Sequence, residues 1–191
     1  TTNAPVATPT INTQPESLFR TAGQNASLSV SASAGDGGKL SYQWFKSGVA
    51  ITNATSDTYS LTGVATSDSG SYLVEVTNTL GGVSTSAIST TATVTVASAL
   101  SIATPTTGLS GTADSAFSLS VAGSGGRASL SYVLTGTLVS GLSMSTSTGT
   151  ISGTPTATGS STVSVAVTDA NGVTASTSNF TISVGYASTT V

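Results

Sequence analysis

The sequence predicts an all-β chain folded as two β-sandwiches in tandem, with a short linker and extended terminal tails. Three observations lead there. Apolar residues recur at alternate positions rather than at helical spacing, as in Phe117, Leu119 and Val121 or in Thr93-Val-Thr-Val96. Turn-forming Gly, Asp and Asn punctuate these runs. The length, 191 residues, suits two sandwiches of roughly 90 to 100 residues each.

Composition narrows the chemistry. Only 6% of the residues are charged, against about 25% in an average globular protein, so hydroxyls must cover most of the exposed faces. Low charge removes a usual defence of sheet edges, which makes assembly worth considering. Seven carboxylates outnumber four scattered cations, Arg20, Lys39, Lys46 and Arg127, for a net charge of −3, and nothing in that arrangement tracks a nucleic-acid backbone. The absence of Cys removes disulfides and thiolate metal sites, and the absence of His removes the commonest general base and neutral metal ligand. No run approaches the roughly 18 apolar residues of a membrane span. A start at Thr1, without Met or a signal-peptide pattern, leads to the expectation of a processed or excised product.

In chain order, residues 1–10 carry Pro5 and Pro9 among small residues and are expected to be an N-terminal tail or linker, with addition to a sheet of the next molecule as the sharper reading. The first domain is expected over residues 11–97. It opens with an edge strand holding Pro15, turns at Gly23, and continues into a strand with Leu28 and Val30 on one face. After glycines at 35, 37 and 38 comes a strand on which Tyr42 and Trp44 share a face. Asp68 and Gly70 turn the chain into a strand where Tyr72, Val74 and Val76 alternate with Leu73, Glu75 and Thr77. Gly81-Gly82 leads to Val83, and Thr93 to Val96 closes the sandwich.

These positions carry a resemblance. Val30, Trp44, Tyr59, Leu61, Asp68, Gly70, Tyr72 and Val74 stand where an intermediate-set immunoglobulin-like domain has its B-strand Cys, C-strand Trp, E-strand apolar pair and Asp-x-Gly-x-Tyr-x-Cys motif. Both cysteines are replaced by Val, so the domain resembles the cysteine-free form common in bacterial surface proteins. The resemblance implies that Trp44 pins the core and that Tyr72 forms a tyrosine corner. A missing disulfide costs about 2–5 kcal/mol, and burying two Val side chains contributes about 1.5–3 kcal/mol each, so the exchange is survivable if Trp44 packs over the pair.

Residues 98–185 read as the second domain and residues 186–191 as a C-terminal tail. Phe117, Leu119 and Val121 share a face, Leu130 to Leu134 forms another strand, and Ser161 to Asp169 a third. Gly141-Leu-Ser-Met144, Thr148-Gly149, Ile151-Ser-Gly-Thr-Pro155 and Asp169-Ala-Asn-Gly172 resemble the putative-immunoglobulin family of bacterial surface and secreted proteins, related to dystroglycan-type cadherin-like domains. The motif works through turns: Gly149 and Gly153 are expected in tight turns, Pro155 at a strand end, and Asn171-Gly172 in a hairpin turn before the final strand from Phe180.

No residue is assigned a catalytic, cofactor-binding or metal-binding role. The acids Glu16, Asp36, Asp57, Asp68, Glu75, Asp114 and Asp169 form no pair in sequence, and a serine nucleophile would have to recruit Lys39 or Lys46. Asp114, Asp169 and Asn171 are candidate calcium ligands, but turn formation explains them without a metal. Asn25, Asn53 and Asn179 open N-glycosylation acceptor triplets. The expected function is non-enzymatic: an extracellular structural or adhesive protein at a cell surface, a subunit of a bacterial filament or stalk whose partners are copies of itself or neighbouring domains. The alternative is a secreted carbohydrate- or protein-binding module, with glycans as partners and with Phe19, Phe45, Tyr132 and Tyr186 as the aromatics left for contact.

Overall fold

The computed structural model describes residues 5–187 and divides into two compact units that meet in sequence at Ala97 and Ser98. The first contains β1 (Thr10–Thr13), β2 (Leu18–Thr21), β3 (Ala26–Ser29), β4 (Ser31–Ser33), β5 (Lys39–Lys46), β6 (Val49–Ala50), β7 (Thr58–Leu61), β8 (Gly70–Leu80), β9 (Val83–Ile88) and β10 (Ala92–Ala97). A single 3-10 turn, Thr66–Asp68, precedes β8. The larger sheet runs β2-β10-β8-β5-β6, with β9 also paired to β8, while β3 pairs with β7 and β1 with β4.

Pro15 does not sit in an edge strand as the sequence suggests. It is buried between β1, which pairs antiparallel with β4, and β2, which runs parallel to β10 in the larger sheet. Without an N–H it cannot join either ladder, so the chain changes sheets there.

The alternation in β8 places Tyr72, Val74 and Val76 in the core, with Val74 the register partner of Trp44 on β5. Trp44 is fully buried, and its Nε1 donates to the Ser56 carbonyl at 2.9 Å. Tyr72 Oη donates to the Asp68 carbonyl at 2.7 Å, which is the expected tyrosine corner. Burial, reinforced by Tyr59 and Asp68, pushes the Tyr72 phenol up to about 12. Tyr59, on β7 beside β3, lies with its ring centroid 6.2 Å from Trp44 and 6.0 Å from Tyr72. Three rings thus tie the two layers together where related domains use a disulfide, each contact worth about 0.5–1.5 kcal/mol beyond area burial.

The second unit repeats the plan with β11 (Ser101–Ile102), β12 (Ser110–Thr112), β13 (Phe117–Ser120), β14 (Gly123–Ser124), β15 (Ser131–Thr135), β16 (Leu142–Met144), β17 (Thr150–Gly153), β18 (Gly159–Thr168), β19 (Thr174–Ser176) and β20 (Phe180–Gly185). One sheet is β13-β17-β16 and the other β12-β20-β18-β15, with β19 on β18 and β11 paired to β14. The Gly-Leu-Ser-Met and Ile-Ser-Gly-Thr-Pro motifs meet in the β16–β17 pairing. There a Cβ on Gly141 would fall 2.1 Å from the Thr154 carbonyl oxygen, and one on Gly153 would fall 2.0 Å from that of Gly141. The Asp169–Gly172 turn joins β18 to the short β19 rather than leading straight to the final strand. Gly172 N–H bonds the Asp169 carbonyl at 3.0 Å, and Gly172 has φ +79°, a type I turn with a glycine bulge.

A second likeness between the units lies in their last strands, each broken once. At the break between β9 and β10, Ser89 N–H donates to the Val74 carbonyl at 2.9 Å, and Ser89 Oγ accepts from Val74 N–H at 3.0 Å. Between β19 and β20, Thr177 N–H donates to the Val165 carbonyl at 2.9 Å and Thr177 Oγ1 accepts from Val165 N–H at 3.0 Å. In both, a buried hydroxyl replaces the carbonyl that the bulged strand has turned away.

Candidate functional site

The most specific polar constellation lies where the N-terminal segment crosses the end of the first sandwich. Asn78 occupies the inward phase of β8 after Tyr72, Val74 and Val76, and it is fully buried. Asp36 stands in the glycine-rich loop between β4 and β5. Asp36 Oδ2 accepts the Ala7 N–H at 2.7 Å, and Asn78 Nδ2 donates to the Ala7 carbonyl at 2.8 Å. Asn78 Nδ2 also donates to Asp36 Oδ1 at 2.9 Å, and Gly38 N–H reaches the same oxygen at 3.0 Å. The absence of a side chain on Gly38 makes room, since a Cβ there would lie 2.0 Å from Asn78 Oδ1. The Ala7 N–H, then Asn78, then Gly38 hold the Asp36 carboxyl below the usual carboxylate range.

This corrects the reading of residues 1–10 as a tail for Ala7 to Thr10. Ala7 is gripped through both backbone groups, Pro9 is buried, and β1 begins at Thr10. The reason is physical: Asp36 and Asn78 satisfy backbone groups that a free segment would leave to water. Thr1 to Ala4 lie outside the described residues. So do Ser188 to Val191 of the expected C-terminal tail, in which Tyr186 is 83% exposed.

The other candidates are dispersed. Tyr132 is a core residue, not a contact aromatic: it is buried, and its Oη accepts the Gly123 N–H at 3.0 Å. Phe19 and Phe45 are half-buried on β2 and β5, which β10 and β8 separate by roughly 14 Å at ordinary strand spacing. Lys46 Nζ donates to the Ser67 carbonyl and stands 5.7 Å from the Tyr72 ring centroid, so it serves packing rather than a serine. Asp169 organises its turn: Oδ1 accepts the Asn171 and Val173 N–H groups, each at 2.9 Å, and Oδ2 accepts that of Arg127 at 2.9 Å. Asp114 is exposed in the left-handed region at φ +61°. Among the described residues no group of three His, Cys, Asp or Glu is placed to hold a metal ion, and no helix is long and apolar enough to cross a membrane. Of the acceptor asparagines, Asn53 and Asn179 are exposed, and Asn25 Oδ1 accepts the Gly63 N–H at 3.0 Å. A cleft of about 370 Å³ beside β2 and β3 is lined by polar groups including Glu16, Ser17, Arg20 and Ser27.

The comparisons with known proteins agree with this architecture. The family described as "Immunoglobulin domain" matches residues 8–78, and the family described as "Putative Ig domain" matches residues 99–185. No curated protein sequence matches the chain. Among solved structures, an I-band fragment of titin is similar with a TM-score of 0.60 and 14% identity, covering 92% of this chain and 65% of the fragment. The Rst D1-D2 structure has a TM-score of 0.54 and 14% identity, covering 94% of this chain and 99% of that one. The N-terminal four Ig domains of Dscam1 isoform 6.9 give 0.52 and 16%, covering 98% and 48%. The chain thus spans just under two thirds of the titin fragment it matches. With one such family matching each half and no cysteine anywhere, the chain is a cysteine-free tandem of two immunoglobulin-like domains.

Proposed function

We infer that the protein is a non-enzymatic extracellular structural or adhesive chain, a subunit of a bacterial surface filament or stalk built from immunoglobulin-like domains, whose partners are copies of itself or neighbouring domains. One observation carries this reading. The exposed large apolar side chains Val49, Leu80, Val83, Ile88 and Val133 lie on strands of the larger sheet of each domain, not in a cleft. Apolar positions on open sheet surfaces suit broad protein contacts, and a surface with so few charges opposes such contacts weakly. The Dscam1 structure, a fold neighbour, holds the N-terminal four Ig domains of that protein, which supports reading this tandem as part of a series.

The rival reading, a carbohydrate-binding module, needs exposed aromatics that converge. Tyr132 is in the core and Phe19 and Phe45 are half-buried on separated strands, which weighs against it. Electron microscopy of the purified chain over a range of concentrations tests the proposal, with filaments or end-to-end arrays expected. A chain that stays monomeric at all concentrations and binds a glycan on an array overturns it.

A further inference from the structure

The segment that enters each domain is held in the same way. Ala7 stands three residues ahead of β1 and Ser98 three residues ahead of β11, and these first strands pair antiparallel with β4 and β14. In the first domain the loop between β4 and β5 supplies Asp36, which accepts the Ala7 N–H, and β8 supplies Asn78, which donates to the Ala7 carbonyl. In the second domain the loop between β14 and β15 supplies the Gly126 N–H, which donates to the Ser98 carbonyl at 2.8 Å. Each loop is also tied to the end of the long strand beside it. Asn78 Nδ2 on β8 donates to Asp36 Oδ1, and the Arg127 N–H donates to Oδ2 of Asp169, just beyond β18, both at 2.9 Å. Each needs a bare glycine at close quarters: a Cβ on Gly38 would lie 2.0 Å from Asn78 Oδ1, and one on Gly125 would lie 2.1 Å from the Ala99 carbonyl oxygen.

The second domain shows such a grip in use. Ser98 directly follows Ala97, the last residue of β10, so the segment it holds is one that arrives from another sandwich. The grip satisfies backbone groups where one ladder has ended and the next has not begun. At the first domain the same end also carries an apolar tip. β8 runs past Asn78, by roughly 7 Å at ordinary strand rise, to Leu80, which pairs with Val83 across Gly81-Gly82. Leu80 and Val83 are 41% and 55% exposed and lie outside the core cluster, although a two-glycine hairpin turn needs no large apolar pair beside it.

We propose that the Ala7 end of the first domain is an interdomain joint, and that its partner is a further immunoglobulin-like sandwich ahead of Ala7 in the same polypeptide, seated on the Leu80–Val83 tip. This rests on the reading of the tandem as part of a series. The kind of partner follows from the second domain, whose equivalent grip holds the residue next to the last strand of a sandwich. Pro5 sets the spacing. Without an N–H it cannot continue a ladder, so the arriving last strand ends ahead of it and Pro5-Val6 spans the joint. The bonds from Asp36 and Asn78 fix the point at which the arriving chain meets the first domain, and the tip supplies the apolar contact beside that point.

The test adds the partner. A copy of residues 5–97 is placed ahead of the chain so that its Ala97 is followed by Pro5, which keeps every described residue of the protein, and only the part from that Pro5 onward is isotope-labelled by segmental ligation. NMR is recorded at a dilution where sedimentation shows a monomer. The Ala7 amide is expected to keep the resonance position it has in the unextended chain, while the Leu80 and Val83 methyl groups are expected to shift and to lose accessibility to a dissolved paramagnetic probe. In the extended chain Ala7→Pro, which cannot donate to Asp36, is expected to return both methyl groups to their exposed values. Loss of the docked Ala7 resonance on extension overturns the proposal, because the grip then does not admit an arriving domain. Methyl groups as accessible as in the unextended chain overturn it too, and neither outcome depends on whether the variant folds. Covering that survives Ala7→Pro also overturns it, because the grip then does not position the partner. Electron microscopy of the unextended chain reads the assembly proposal separately: filaments together with an exposed tip sink this inference alone, and a covered tip without filaments sinks the assembly reading alone.

Discussion

Replacing Trp44 with Ala should dismantle the first domain. The indole is fully exposed to its neighbours and not at all to solvent, it sits in register with Val74, and it packs 6.2 Å from the Tyr59 ring. Truncating a buried Trp costs about 3–5 kcal/mol from lost transfer energy and the residual cavity. Loss of the Nε1 bond leaves the Ser56 carbonyl short of a partner, and loss of the ring contact with Tyr59 disconnects the layers, so the upper end of that range applies here. Against a total of about 5–15 kcal/mol for a typical domain, that is a large fraction of what holds it folded. Urea denaturation followed by circular dichroism measures it. Because Trp44 is the single Trp, wild-type fluorescence identifies which transition belongs to the first domain, and the variant should lose or lower that transition while leaving the other unchanged. A shift of that transition worth less than about 1 kcal/mol would refute the claim that an aromatic bridge replaces the disulfide, since surface substitutions stay within about 0.5 kcal/mol.

Tyr72→Phe removes only the hydroxyl donated to Asp68 and should cost about 0.5–1.5 kcal/mol in the same urea experiment, with no loss if the corner is ornamental. Ser89→Ala and Thr177→Val each strand a buried backbone N–H, that of Val74 or Val165, and should each cost about 1–3 kcal/mol in their own domain, read as a lowered urea midpoint. Docking of the Ala7 segment should depend on pH. Asp36 is held below its ordinary 3.8, so docking is at full strength above that value and weakens as pH falls through the depressed one. The Ala7 amide resonance followed by NMR on acidification reports it; a resonance that stays in its docked position until the whole domain unfolds argues against Asp36 as the anchor.

Local patterns carried much of this protein. The alternation of Tyr72, Val74 and Val76 against Glu75 and Thr77 places the core face of β8 without knowledge of any partner strand, because side-chain direction along a strand depends only on parity. The same parity would have placed Tyr132 inward with Leu130 and Leu134, and Asn78 as a polar residue on a core face. What parity could not convey is what meets that face. The hydrogen bonds of Asp36 and Asn78 to Ala7 cross 29 and 71 residues of sequence, and segments so far apart are brought together by closure of the sandwich, not by anything in their own neighbourhoods. The same holds for Pro15, whose lack of an N–H is legible while the change of sheet it permits is not, and for Ser89 and Thr177, ordinary hydroxyls in a chain full of them until a bulge on one strand leaves a neighbour's N–H in need of an acceptor.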